Sequence, residues 1–159
     1  EKMPNIVLTR IEQSVWFMEG ATQWCGAIGA NLILVANDEV AGNSLRQGLM
    51  NMAAPSYASM RYWTIQKTID TIHKASAKQL IFIVCENPQD VVKLVEGGVP
   101  IKKVNIGNMH MADGKRQVQF RAVDDSDVAA FKRLQELGVE LEIRRVPTEH
   151  AESTDKLFK

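Results

Sequence analysis

Runs of consecutive apolar residues alternate with stretches of helical period along the whole chain. Leu80-Ile81-Phe82-Ile83-Val84-Cys85 is apolar at every position, as a strand covered on both faces of a parallel sheet must be. Ile6-Val7-Leu8 and Leu32-Ile33-Leu34-Val35-Ala36 predict two more strands, the second bounded by Asn31 and Asn37-Asp38. Val104-Asn105-Ile106 and the alternating Val139, Leu141 and Ile143 add two others. Met60 to Trp63 is a weaker candidate, and Val118 to Val123 predicts one short irregular strand. Between these runs the period becomes helical. Ala21 to Ile28 predicts a helix, and Val40, Leu45 and Leu49 mark another with Asp38 as its N-cap. Ile65, Ile69 and Ile72 form a stripe on the next. Asn87-Pro88 reads as N-cap and first helical residue, and Gly97-Gly98 stops the helix they begin. Val128, Phe131, Leu134 and Leu137 define the last helix, ended by Gly138. Strands and helices in this alternation predict an α/β fold: an open, mostly parallel twisted sheet with helices on both faces. With no repeat or linker in view, residues 3–159 read as one domain, Met3 being a candidate native start preceded by Glu1 and Lys2.

Composition narrows the class of protein. The 159 residues are 45% hydrophobic and 24% charged, an ordinary globular balance. Lys plus Arg and Asp plus Glu both count 19, which argues against a nucleic acid held by bulk charge. The two cysteines, Cys25 and Cys85, are too few for a disulfide framework. No apolar run approaches the roughly 18 residues of a membrane-spanning helix, and no secretory leader is visible. The expected setting is cytoplasmic.

In an open parallel sheet, ligands bind at the carboxyl ends of the strands. That directs attention to Arg10–Gly20, Asn37-Asp38, Trp63-Thr64, Glu86-Asn87 and Gly107–His110. Arg10 ends the first strand and precedes a helix, a setting in which a guanidinium can clamp a phosphate; the plainer expectation is a pairing with a surface carboxylate such as Glu12. His110 lies just beyond a strand end, where an imidazole can act as base or phosphoryl acceptor. His73, in a helix beside Lys74, is expected to be a solvated or partly buried side chain, and His150, in a polar tail, to be inert. The three histidines have no metal-ligand spacing, so no metal is expected. Cys25 and Cys85 are expected to be buried as small apolar residues.

Several segments carry a family resemblance. They are Pro4–Ile11, Ala36-Asn37-Asp38-Glu39-Val40-Ala41, Met52-Ala53-Ala54-Pro55, Glu86–His110, and Gly138–Ile143 with Val146-Pro147-Thr148. In order and spacing the chain resembles the IIB component of the mannose–fructose–sorbose family of the bacterial sugar phosphotransferase system. Arg61–Lys67 and Gly107–His110 bring it nearest to the N-acetylgalactosamine/galactosamine branch. The resemblance implies an open α/β domain that works in the cytoplasm, peripheral to a membrane permease. A histidine in the loop after the first strand would take a phosphoryl group from a phosphorylated IIA protein or domain. It would pass that group to a sugar, an amino sugar or hexose, entering through the membrane subunits IIC and IID. No metal or organic cofactor is implied, Arg10 and Asp38 become candidate phosphate-binding or loop residues, and homo-oligomerisation is left open.

The loop departs from the family pattern. That pattern reads Arg-Ile-Asp, a few polar or basic residues, an apolar residue, then His-Gly-Gln. This chain reads Arg10-Ile11-Glu12-Gln13-Ser14-Val15-Trp16-Phe17-Met18-Glu19-Gly20. Counting without a gap from Arg10 to the shared Gln23-Trp24 puts Phe17 at the acceptor position, Met18 at the glycine and Glu19 at the glutamine. No histidine precedes His73. Phenylalanine has no lone pair with which to attack phosphorus, and Glu19 adds negative charge beside it. Three readings follow: a IIB subunit by family, a non-transferring IIB-like binding or regulatory protein, and a carrier with another acceptor such as His110.

Overall fold

The computed structural model describes residues 3–12, 18–107, 116–118, 121–144 and 146–158. Strand β1 (Asn5–Ile11) leads to helix α1 (Met18–Ile28) and strand β2 (Leu32–Ala36). Helices α2 (Asp38–Ala41) and α3 (Ser44–Ala53) follow, then β3 (Ser59–Trp63) and α4 (Ile65–Thr71), which tightens into a 3-10 turn over Ile72–Lys74. Next come β4 (Leu80–Cys85), α5 (Pro88–Glu96) and β5 (Lys103–Ile106). The short strands β6 (Arg116–Val118) and β7 (Arg121–Val123), α6 (Asp125–Glu136) and β8 (Glu140–Ile143) complete the order, with a final 3-10 turn over Asp155–Phe158.

Six strands form one sheet in the order β3-β2-β4-β1-β5-β8, and every pairing in it is parallel. The order explains the composition of the strands. Strand β4 lies between β2 and β1 and is buried from Ile81 to Cys85, so both of its faces must be apolar. Helices α1, α2 and α3 cover one face with Trp24, Cys25, Val40 and Met50 packed on Leu8, Ile33, Val35, Phe82 and Val84. Helices α4, α5 and α6 cover the other with Ile65, Val91, Leu94, Phe131 and Leu134 on Ile11, Leu34, Ile83, Val104, Ile106 and Ile143. The chain leaves β1 toward the first group of helices and leaves β4 toward the second. These two strands are neighbours, so the sheet's switch point opens at their carboxyl ends.

Local signals account for most element ends. Asn87 accepts from Asp90 N at 2.8 Å with Pro88 opening α5, and Gly98 at φ 97° lies just past its end. Asp124 caps α6 reciprocally with Asp127, and Gly138 at φ 84° follows it.

Four expectations are corrected. The N-cap of α2 is Asn37, whose extended backbone lets its Oδ1 accept from Val40 N at 2.9 Å; Asp38 is already helical. The single helix expected over Val40–Leu49 is two, because Gly42 closes α2 and Asn43 caps α3 through Arg46 N at 3.0 Å. Helix α1 begins at Met18, three residues before Ala21. The one irregular strand expected over Val118–Val123 is the antiparallel pair β6–β7, separate from the main sheet.

Phe131 is fully buried at the centre of the α6 contact with the sheet. Phe131→Ala is expected to lower unfolding stability by about 3–5 kcal/mol in urea denaturation; a loss below about 1 kcal/mol contradicts that packing.

Candidate functional site

Strand register places three polar side chains in a row where an apolar core would otherwise continue. Arg10 pairs with Asn105, and Asn105 with Glu142, across β1, β5 and β8. Arg10 and Asn105 point to the face covered by α1 to α3, alternating with Ile11, Val104 and Ile106 on the opposite face. None of the three is more than 8% exposed.

Arg10 is the centre of this arrangement. Its Nε donates to Glu12 Oε2 at 2.9 Å, and its Nη1 donates to the Arg144 carbonyl at 2.9 Å and to Asn105 Oδ1. Its Cζ sits 5.2 Å from the centroid of the Trp24 ring, within cation–π range. Asn105 Nδ2 donates in turn to Glu142 Oε1 at 3.1 Å. Glu142 pairs with Lys103, and Arg144 Nε lies 3.4 Å from Glu142 Oε1. Burial holds the Arg10 pKa below its ordinary value, against the opposing pull of Glu12 and Glu142.

Gly107 completes the floor. A Cβ there would stand 2.5 Å from Glu12 Oε2 and 2.7 Å from Arg10 Nη2, so the ion pair lies directly against the glycine backbone. Gly107 N donates to the Ile11 carbonyl at 2.8 Å, and Glu12 N donates to the Cys85 carbonyl at 2.8 Å. The loop after β1 therefore starts from a fixed point. One guanidinium touches both Glu12, where the loop begins, and Trp24, on the helix into which it runs.

A second group of side chains lies at the ends of β2 and β4. Asn37 Nδ2 donates to Glu86 Oε2 at 2.6 Å. Asp38 Oδ1 accepts from Ile65 N at 2.8 Å, tying the start of α2 to the start of α4. Asp90, in the first turn of α5, has its carboxyl pushed up to about 6 by burial; Lys93 opposes that shift, while Asp38 and Glu86 add to it.

The expected site residues fall as follows. Arg10 does pair with Glu12, but both are 2% exposed, so the pairing is a buried one and the surface setting is corrected. Asp38 braces two helix starts. Ser14, Val15, Trp16, Phe17 and His110 lie outside the described residues, and Met18 and Glu19 fall in the first turn of α1. His73 and His150 are exposed, and Cys25 and Cys85 are buried and free. Sequence reasoning missed Asn105 and Glu142, and it singled out the segment beginning at Gly107 without assigning that glycine a role. Asn105, a polar residue between Val104 and Ile106, carried a usable signal: a buried strand interrupted by one amide on one face.

The six-stranded parallel sheet with helices on both faces is an open α/β domain, and comparison with known proteins assigns it to the phosphotransferase IIB class. The chain is 42% identical to the crystal structure of the N-acetylgalactosamine-specific IIB component 1 from Escherichia coli, with a TM-score of 0.90, covering 94% of this chain and 99% of that one. To the IIB domain of the sorbose permease from Klebsiella pneumoniae it is 29% identical, with a TM-score of 0.89, covering 96% and 95%. The N-acetylgalactosamine-specific phosphotransferase enzyme IIB component 2 of E. coli strain K12 is 48% identical over 98% of this chain and 100% of its own length. The family model for the PTS system sorbose subfamily IIB component matches residues 6–159, and the chain belongs to that family. It is thus a IIB component of the sugar phosphotransferase system, and components of this kind work with IIA proteins and with the membrane subunits IIC and IID. Among the described residues no helix is long and apolar enough to cross a membrane.

Two predictions test the site's energetics. Arg10→Met leaves Glu12 buried without its cation and is expected to cost about 3–5 kcal/mol in urea denaturation. Adding Glu12→Leu to that variant should recover part of the loss, and no recovery contradicts the pairing. For Asp90, a folded-state pKa above the unfolded value of about 3.9 means that the folded protein binds more protons between about pH 4 and 6. Its contribution to stability therefore falls as pH rises through that window. Asp90→Asn should gain about 1 kcal/mol over the parent at pH 7.5, a figure discounted for partial exposure, and little at pH 4.5; equal effects at both pH values contradict the assignment.

Proposed function

We propose that this chain is a IIB component for N-acetylgalactosamine or a related amino sugar that docks with a IIA protein at its carboxyl edge but does not carry the phosphoryl group at the usual loop position. The observation that carries the reading is the residue at that position. Phosphoryl relay requires a nucleophile that forms a new bond to phosphorus while the bond to the donor histidine breaks. By the ungapped count from Arg10 to Trp24 the position holds Phe17, which has no atom able to form that bond, and no histidine occurs before His73. The sugar assignment is supported by the specificity named for the E. coli relatives.

Arg10 enters this reading as an organising residue. Its Nε and Nη1 already serve Glu12, Asn105 and the Arg144 carbonyl, so it fixes the base of the loop from within. Asp38 acts in the same way, through Ile65 N. Docking takes place at the cytoplasmic side of the permease, and no metal or organic cofactor takes part.

A second reading has one observation in its favour. Strand β5 lies beside β1, and Gly107 packs on the Arg10–Glu12 pair, so the segment bearing His110 departs next to the loop base. In that case His110 would be the acceptor.

Incubation with a phosphorylated IIA protein, followed by intact-mass analysis under conditions that preserve phosphohistidine, decides between the two. The expected outcome is binding with no mass gain, and Phe17→His should then produce a phosphorylated population. A gain in the parent chain that His110→Ala abolishes would establish the second reading.

A further inference from the structure

Helix α3 turns its apolar stripe to water. Leu45, Leu49 and Met52 follow helical spacing and share one side of the helix, with Gly48 at the margin of that side. Leu45 is 76% exposed, Leu49 52% and Met52 85%. Five large apolar or aromatic side chains are exposed among the described residues, and three of them lie here, so the exposure is concentrated and not scattered. The inward side of α3 is the more polar one. Met50 is its only buried residue, Gln47 Nε2 donates to the Val40 and Ala41 carbonyls at 2.8 and 3.2 Å, and Arg46 is turned into the crevice beside Asn37 and Glu86. A surface helix that packs only on its own sheet has the opposite arrangement, and a contiguous exposed stripe marks an interaction surface. Gly48 adds a second sign. Glycine weakens a helix interior relative to alanine, yet a Cβ there would meet no atom of this chain within 4 Å.

The layout of the stripe identifies what covers it. Arg46 is the only charged residue of α3, and it pairs with Glu39 at 3.9 Å away from the outer side. The stripe therefore offers no charge to a charged partner, and two copies laid together bring no like charges of α3 against each other. Leu49 stands four residues after Leu45 and three before Met52. In an antiparallel pair about a two-fold axis at Leu49, each Leu45 lies against the other copy's Met52 and the two Leu49 side chains meet, so every apolar group finds an apolar one. Gly48 then leaves room for the axes to approach.

We propose that the outer stripe of α3 is a self-association surface, on which a second copy of this chain docks its own α3 antiparallel through Leu45, Gly48, Leu49 and Met52. A helix of 10 residues falls short of the about 800 Å² per partner of a standard interface, so the dimer is weak and reversible, with a dissociation constant on the order of 100 μM. The surface is independent of the chemistry of the loop after β1.

Sedimentation equilibrium of the full chain, from about 10 μM to about 1 mM, tests it. A monomer–dimer equilibrium is expected in the parent. Leu49→Asp sets two carboxylates against each other at the axis and should weaken association at least about tenfold. Gly48→Leu should weaken it as well while melting no lower than the parent, because leucine favours the helix; loss of the dimer in that variant is then not loss of the fold. A short bis-maleimide should crosslink Leu49→Cys into a dimer but not Lys132→Cys, an exposed position on α6 across the sheet. A chain that stays monomeric at every concentration overturns the proposal. So does a dimer that survives both α3 substitutions, which would place the contact on another face.

Discussion

A buried guanidinium is the constraint on which the carboxyl edge depends. Arg10 is a charge removed from water at the middle of a parallel sheet, a placement that costs several kcal/mol unless its donors are met. Its neighbours are arranged to meet them. Glu12 supplies the opposite charge, Asn105 and the Arg144 carbonyl supply acceptors, and Trp24 supplies an aromatic face. Gly107 has no side chain because the ion pair occupies the space that a Cβ would fill. Glu142, one strand further out, orients the Asn105 amide and is balanced by Lys103 and Arg144. Each of these residues makes sense through the one it touches, and the sequence of contacts begins at Arg10.

The clamp also shows why fold and chemistry can separate in this protein. It fixes where the loop after β1 begins and the helix to which it returns, and none of its members has to be the phosphoryl acceptor. A chain can keep Arg10, Glu12, Asn105, Gly107 and Trp24, and with them the IIB fold, while a different residue stands at the acceptor position. The high structural similarity to IIB components of the family therefore establishes the scaffold more directly than it does the transfer step.

Most of the fold was legible because its signals are local. The apolar run Leu80–Cys85 announced a central strand, Asn87-Pro88 and Gly97-Gly98 marked both ends of α5, and the period of Val128, Phe131 and Leu134 gave the buried stripe of α6. The errors arose where two local signals competed. At Asn37-Asp38 both residues are good caps, and only the backbone conformation selects Asn37; at Gly42-Asn43 an apolar period that runs on is cut by a cap–cap junction. The site was less legible for a different reason. Arg10, Asn105 and Glu142 are far apart in sequence and become neighbours only through strand order and register, which single-sequence periodicity does not encode. The pairing of Arg10 with Glu12 could be anticipated from their separation by two residues on one strand face, whereas its burial could not.

The buried clamp holds the base of the loop as firmly as the core of the sheet holds its strands. Native-state hydrogen exchange at the Glu12 and Gly107 amides tests this directly, because their bonds to the Cys85 and Ile11 carbonyls close the sheet on either side of β1. Protection at both amides is expected to be close to that of the Ile83 amide in β4, with opening free energies near the global value. Exchange at the rate of an open loop would show that the carboxyl edge frays independently, and would contradict the view that Arg10 organises it.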